Sequence, residues 1–441
     1  MPPLNTRPVW AEISRSRLLH NYRALCALAG PSIILVPVVK ANAYGHSVEL
    51  CAPWLVAEGA QWLCVTSVEE GIAVRALCPS PHILVISGLW HNEAEAILAH
   101  RLTPVVWEPF HLELLAAAAR RANLPPQSVP FHLEIDTGMS RQGVAPGTHL
   151  ASLLQLLRSA PQLRLEAVMT HFFAPDELDS PTTQTQIDQF ATVLDTISAA
   201  GLHPRFLHAG NSTSLLTGLG LPALHKLANR HQARLMLRPG LALYGYQPAT
   251  TSSTTLDKEK LSFRPKESHR DSEVESLSRA SRGKPAVSFS SSGDQPTRTP
   301  TLQPVLALKS RIVSLRNISP GQTAGYNATF RAAQPTRLAL LPLGYADGLS
   351  RRLSNQGHAL IRGHRAPIAG RISMDHTILD ITHIPAAAIG DEAALLGEQP
   401  SPNPAQPPVR ITAEDLAALC HTIPWEILTS IAARVPRIPT D

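Results

Sequence analysis

The sequence predicts an α/β protein, with an N-terminal (β/α)8 TIM-type barrel followed by a mostly-β domain. Three observations carry that reading. Over roughly the first 245 residues, short β-branched runs alternate eight times with longer amphipathic or connecting segments, the rhythm of a closed parallel barrel of about 250 residues. No Gly-rich turn follows the first strand, as a doubly wound nucleotide fold would require. After residue 300 the helix-per-strand rhythm stops and β-rich segments take over, which suits an antiparallel sheet.

The barrel is assigned to residues 9–245. Its expected strands are Ile33–Lys40, Trp62–Thr66, His82–Ser87, Thr103–Trp107, Pro130–Asp136, Leu165–His171, Arg205–His208 and Arg234–Leu237. Between them the 3.6-residue apolar period predicts helices over Ser14–Leu28, Ser47–Glu58, Ser67–Leu77, Phe110–Arg121, His149–Ser159 and Thr183–Ala199. Ser67, with Glu70 three residues on, has the pattern of a capping box. Residues 251–300 hold 12 Ser, 5 Thr and only 9 apolar residues, too few to offset the entropy of ordering them. The 249–300 stretch therefore reads as a low-complexity, disordered insertion. From 301 to 441 a second domain is expected, with strands in Val305–Leu315, Arg337–Pro342, Ala359–Ile361 and Ile378–Ile381, and a helix over Ala413–Leu419.

At 441 residues and 44% apolar, the chain can bury a sizeable core in two domains. Its 39 Lys and Arg against 34 Asp and Glu give a net charge of +5, too dilute for a nucleic-acid footprint. An aromatic content of 5% argues against base-stacking platforms. Apolar runs stay well short of a bilayer span, and the opening MPPLNTRPVWAEISRS lacks the apolar core of a secretory signal. Five cysteines (Cys26, Cys51, Cys64, Cys78 and Cys420), odd in number and without a C-x-x-C pair, support neither a disulfide framework nor a zinc site. A soluble cytoplasmic protein, with no nucleic-acid, membrane or metal partner, is expected.

In a barrel, reactive groups gather at the C-terminal ends of the strands. Lys40 ends the first expected strand, Arg141 follows the fifth and His171 closes the sixth. Asn211 and Ser212 follow the seventh; Arg238 and Gly240 follow the eighth. Five of eight strands thus bring polar groups to one rim. A lysine at the end of an apolar strand is partly desolvated, which favours an amine nucleophile towards aldehydes; a salt-bridged rim lysine is the competing reading. Backbone N–H groups at Gly240 and Leu241, with the Ser212 hydroxyl, could hold a phosphate, although R-P-G alone also marks a turn. His171 taken alone is equally a satisfied core histidine.

The motifs KANAYGH (Lys40 to His46), HLEIDTGMSRQG, HAGNSTS, RPGLALYG, GYNATF, LPLGYADG, GRISMDH and ARVPR together resemble bacterial alanine racemases. The resemblance runs from about residue 9 to 437, with 249–300 as the one large insertion. It implies pyridoxal 5'-phosphate as cofactor, with Lys40 as the Schiff-base lysine. It places Tyr44, Ser212, Gly240 and Leu241 at the cofactor phosphate, with Asn211 alongside. Arg238 would face the pyridine nitrogen, and His171 would pack on the ring and support Arg238. Arg141 would help hold the substrate carboxylate. Two catalytic bases are implied, Lys40 on the D face of alanine and Tyr326 on the L face. Tyr345, Met374 and Asp375 would line the substrate end. In the family the Tyr and Met positions come from the other subunit, so a homodimer with shared active sites is implied, supplying D-alanine for peptidoglycan.

Two positions depart from a common family pattern. Glu134 stands where many members carry a carbamylated lysine, and is expected to pair with Arg141 in its place. Ala433 replaces a tyrosine found in some members near the phosphate and Tyr44, and is expected to loosen that pocket. Three competing readings remain: a racemase of another or several amino acids, such as serine or lysine; a decarboxylase of the same barrel type, for which Cys420 has no suitable setting; and a non-catalytic protein that binds the cofactor.

Overall fold

The computed structural model describes residues 7–247 and 300–441; apart from Pro300, the expected insertion at 249–300 lies outside the described residues. Eight parallel strands form the barrel: β2 (Ile33–Leu35), β3 (Trp62–Val65), β4 (His82–Val85), β5 (Thr103–Val106), β6 (Val129–Glu134), β7 (Leu163–Met169), β8 (Phe206–His208) and β9 (Arg234–Leu237). They are ordered β2-β9-β8-β7-β6-β5-β4-β3. A parallel bridge between Val38 and Cys64 joins the two ends, with Val39 N donating to Cys64 O at 2.8 Å and Cys64 N to Pro37 O at 2.9 Å. The ring is therefore closed by chain that lies beyond β2 itself. The first strand was expected to reach Lys40, but Pro37 has no N–H to give a ladder, and regular pairing stops at Leu35.

The expected barrel helices lie within a residue or two of their sequence positions, and the amphipathic stretch Thr182–Ala199 buries Ile187, Phe190, Val193, Leu194 and Ile197. Three further helices, Glu93–Ala99, Ser212–Thr217 and Leu221–Arg230, were not expected. The first two are six or seven residues long, too short to show a period. Ser67 accepts from Glu70 N at 3.3 Å, yet the Glu70 carboxylate leaves the capping box. It accepts instead from Ala41 N and Thr66 N, each at 2.7 Å.

The second body is mostly strand. Its main sheet combines β1 (Val9–Ser14), β10 (Leu306–Arg311), β15 (His358–Ile361), β16 (His364–Pro367), β18 (Glu392–Gln399) and β20 (Arg437–Thr440), in the order β16-β15-β18-β10-β1-β20, with β19 (Val409–Ile411) against β18. A three-stranded sheet, β11 (Ser314–Ile318), β14 (Thr336–Leu341) and β17 (Thr377–Asp380), and a small hairpin, β12 (Thr323–Ala324) with β13 (Phe330–Arg331), lie beside it. Residues 9–14 fall within the span assigned to the barrel. Instead β1 sits inside this sheet, antiparallel to β10 and parallel to β20.

The two bodies meet on the turn that carries Lys40. Arg437 donates to Gly45 O at 2.9 Å while its other nitrogens donate to Ile431, Ala432 and Val435 carbonyls. Gly45 has φ +82°, and a Cβ there would stand 2.3 Å from Leu428 O. Gly45→Ala should therefore cost about 3 kcal/mol or more, from the left-handed backbone and the backbone clash together. Urea unfolding followed by circular dichroism would show the midpoint fall.

Candidate active site

Lys40 opens a turn in which Ala41, Asn42, Ala43 and Tyr44 all have φ between 50° and 55°. Left-handed geometry costs an L-residue roughly 1–2 kcal/mol, so four in a row need outside support. Glu70 accepts from Ala41 N, and Asn42 Oδ1 accepts from Val48 N at 2.8 Å. His46, fully buried, sets its Nδ1 against the Ala43 and Tyr44 carbonyls at 3.0 and 2.9 Å and stacks on Tyr244. Burial pushes His46 down to about 4, so it is a neutral donor to those carbonyls. The strained turn aims Lys40 and Tyr44 together over the C-terminal mouth of the barrel. None of the described ion pairs involves Lys40.

A cavity of about 410 Å3 lies at that mouth, within the range of small-molecule sites. Lys40, Tyr44, Arg141, His171, Asn211, Ser212, Arg238, Gly240 and Leu241 all line it. So do Cys64, Glu134, Gln142, Trp425 and Thr429. Trp425 and Thr429 belong to the short helix Pro424–Thr429 of the second body, which sequence periodicity could not reveal at six residues. Gly240 has no room for a side chain, since a Cβ would lie 2.4 Å from the Tyr44 hydroxyl. The Ser212 Oγ accepts from Gly240 N at 2.9 Å and Ala242 N at 3.2 Å, so its own proton is free to donate outward. Asn211 is the N-cap of Ser212–Thr217, its side chain accepting from Thr213 N and Ser214 N. Tyr44, Ser212 and the cavity-lining start of two short helical turns make a donor-rich cradle suited to a phosphate.

In the same lining Arg238, 5% exposed, is held by three acceptors. It donates to His208 Nδ1 at 2.7 Å, Thr170 O at 3.0 Å and His171 Nδ1 at 3.2 Å. Guanidinium only donates, so both ring nitrogens facing it are unprotonated. Burial, then the nearby Arg238 charge, push His171 down to about 3. Gln186 fixes the same loop, donating to His171 O at 3.0 Å and Thr137 Oγ1 at 2.9 Å. A guanidinium held this way cannot protonate a ring nitrogen placed before it. A lysine, a phosphate cradle and a non-acidic donor in one cavity fit a phosphorylated pyridine aldehyde.

Glu134 corrects one expectation. Its buried carboxylate accepts from Gln142 Nε2 at 2.6 Å, and Gln142 also donates to Ile86 O at 3.0 Å. No Glu134–Arg141 ion pair is present among the described residues; desolvation holds Glu134 above the usual carboxylate range. Arg141 is carried by a loop that Asp136 ties together, accepting from Gly138 N and Ser140 N. Ala433 is exposed and its side chain does not reach the cavity lining.

The remaining expected site residues stand elsewhere on the chain. Tyr326 is 68% exposed and Met374 53%, and Tyr326 borders a shallow apolar recess with Arg371, His376 and Ile378. Tyr345 lines another recess, beside Arg352 and Glu426. Asp375 pairs with Arg434 at 2.7 Å, and Arg434 in turn holds the fully buried Asp347 at 2.7 Å.

Comparison with known proteins matches this division. The family profile "Alanine racemase, N-terminal domain" covers residues 13–248, and "Alanine racemase, C-terminal domain" covers residues 305–439. The alanine racemase of Sorangium cellulosum is 36% identical over 437 residues, 98% of each chain, and that of Halothermothrix orenii 32% identical over 434 residues, 98% of this chain and 97% of that one. Among solved structures, alanine racemase from Streptomyces coelicolor A3(2) superposes with a TM-score of 0.77 at 29% identity, covering 98% of each chain. The Bartonella henselae alanine racemase with covalently bound pyridoxal phosphate gives 0.74 at 25% identity, covering 98% and 99%. With the two profiles together matching most of the chain and full-length relatives above 30% identity, the chain belongs to the alanine racemase family.

Proposed function

We propose that this chain interconverts L-alanine and D-alanine with pyridoxal 5'-phosphate, as a cytoplasmic homodimer that supplies D-alanine for peptidoglycan. The convergence of Lys40, Tyr44, Ser212, Gly240 and Arg238 on one cavity is the observation that carries it. When bound, the cofactor supplies an electron sink for the Cα carbanion. Lys40 would hold it covalently and, once released by the substrate amine, take and return the proton on the D face. Arg238 would leave the ring nitrogen unprotonated, which restrains side reactions such as transamination. Arg141 would orient the substrate carboxylate, so that the Cα–H bond points at a base.

A second base must stand on the opposite face. Tyr326 is the candidate, and its exposure outside the cavity supports its delivery to the site of a second copy. Tyr345, Met374 and Asp375 would come with it to the substrate end. No helix among the described residues is long and apolar enough to cross a membrane, and all five cysteines are free, which suits a reducing compartment.

The test is chiral chromatography of L-alanine after incubation with purified, cofactor-loaded protein, matched by a run from D-alanine. Approach to equal amounts from both sides is the expected result. No D-alanine from folded, loaded protein would exclude alanine, and serine and lysine would then be assayed in the same way.

A further inference from the structure

Arg238 is not held only by its immediate neighbours. Its Nη1 donates to His208 Nδ1 at 2.7 Å, His208 Nε2 lies 3.1 Å from His132 Nδ1, and His132 Nε2 lies 3.6 Å from Glu166 Oε2. Arg164 Nη1 closes the row at 3.0 Å from the other Glu166 oxygen. Both histidines are fully buried and Glu166 is 5% exposed. The row runs through the barrel interior, from the cofactor cavity to a recess at the N-terminal end of the barrel that Glu166, His82, Trp62 and Arg234 line.

The hydrogen positions follow without choice. Arg238 can only donate, so His208 Nδ1 accepts and the single proton of the neutral ring sits on Nε2. That proton is donated to His132 Nδ1, which places the His132 proton on Nε2, aimed at Glu166. At 3.6 Å the last step is an electrostatic contact rather than a full hydrogen bond, but neither atom has another partner. The neutral state of both rings agrees with their environment: burial, then Arg238, hold His208 well down, and burial holds His132 down against the pull of Glu166.

Glu166 reaches the barrel interior through a fault in the sheet. β6 and β7 pair Phe131 with Leu165 and then His132 with Ala167, so Glu166 is skipped. An extra residue in one strand re-aims a side chain, and here it brings a carboxylate into an interior that alternation alone would fill with an apolar group. A buried charge placed at such expense, next to one end of an ordered row, points to a task rather than to packing.

We propose that His208, His132 and Glu166 form a proton-ordered relay that orients Arg238 from the far end of the barrel, making His132 and Glu166 positioning residues for the reaction. The catalytic part of this rests on the reading that Arg238 faces the cofactor ring; the ordering of the relay does not.

The test uses the full-length chain with 15N-labelled histidine, loaded and cofactor-stripped, read by solid-state NMR alongside racemisation. In the wild type, His208 and His132 should both be neutral with the proton on Nε2, with or without cofactor. Glu166→Leu should leave the His132 Nε2 proton without an acceptor, so that the His132 ring turns and His208 loses its partner and lets go of Arg238. The tautomers of both rings then mix, and kcat falls about tenfold with KM for alanine nearly unchanged. Glu166→Gln, whose amide oxygen still accepts, should retain the tautomers and most of kcat. His132→Asn, which keeps an acceptor for His208, should hold the His208 tautomer where His132→Leu does not. A wild-type His208 carrying its proton on Nδ1 overturns the relay even if Glu166→Leu fails to fold. So do wild-type tautomers and kcat in a folded Glu166→Leu. Ordered rings in a protein that racemises nothing would instead sink the functional reading and leave the relay ordering intact.

Discussion

Lys40→Ala should leave a folded protein that neither retains its cofactor covalently nor racemises alanine in either direction. Lys40 has two tasks in the proposed reaction, the covalent hold on the cofactor and the base on the D face, so both fail together. A single positioned acid–base group is worth about 10²–10⁴ in rate, and a loss at the upper end or beyond is expected. Borohydride treatment followed by mass spectrometry should find the wild-type chain with a reduced cofactor adduct and the variant without one. The strained turn from Ala41 to Tyr44 is held by Glu70, Asn42 and His46 and makes no use of the Lys40 amine, so stability should change little. A covalent adduct on Lys40→Ala would mean that another amine carries the cofactor.

Tyr326→Phe should have the second large effect, and an asymmetric one. Exchange of the Cα hydrogen of D-alanine with deuterated solvent depends on Lys40 and should continue, whereas exchange from L-alanine should fall by about 10²–10⁴. Cofactor attachment should be unchanged. If each site takes its tyrosine from the other copy, Lys40→Ala and Tyr326→Phe chains complement one another. Dissociated, mixed and reassociated at random, half of the dimers are hybrids with one intact site, so about a quarter of wild-type activity should return. Equal exchange rates for the two enantiomers in Tyr326→Phe would remove it as the second base. A mixture as inactive as its parents would remove the shared site.

Much of this was legible in the chain itself. Eight β-branched runs separated by amphipathic ones gave the barrel, because a helix per parallel strand is a demand of geometry that leaves a period in the sequence. The rim position of Lys40, His171, Ser212 and Arg238 followed from the same count. The resemblance supplied what no period contains: the cofactor, and the roles of Tyr326, Tyr345 and Met374. What stayed hidden was tertiary. Pairing between residues 9–14 and 437–440 leaves no local mark, and the sequence puts residues 9–14 in the barrel span. Trp425 and Thr429 come from too short a helix to read. The Glu134 carboxylate turned to Gln142 rather than to Arg141, a choice made by a loop geometry that residue spacing does not encode. Glu166, one of two polar letters in LRLEAVM, gave no hint that its strand slips there to bring it inside.

The seat of β1 has a consequence for how the molecule is made. Val9–Ser14 lies between β10 and β20, so a strand made before the barrel pairs with one made long after it. Until Arg437–Thr440 emerge, its edges are open and the β sheet is incomplete, while the barrel that follows it has its strands in hand. Contacts this distant in sequence are slow to form, and unpaired edges invite association between nascent chains. The same arrangement means that a β domain cut at residue 301 would lack an interior strand. Its β10 and β20 would then be two exposed edges, where the whole chain has a continuous sheet.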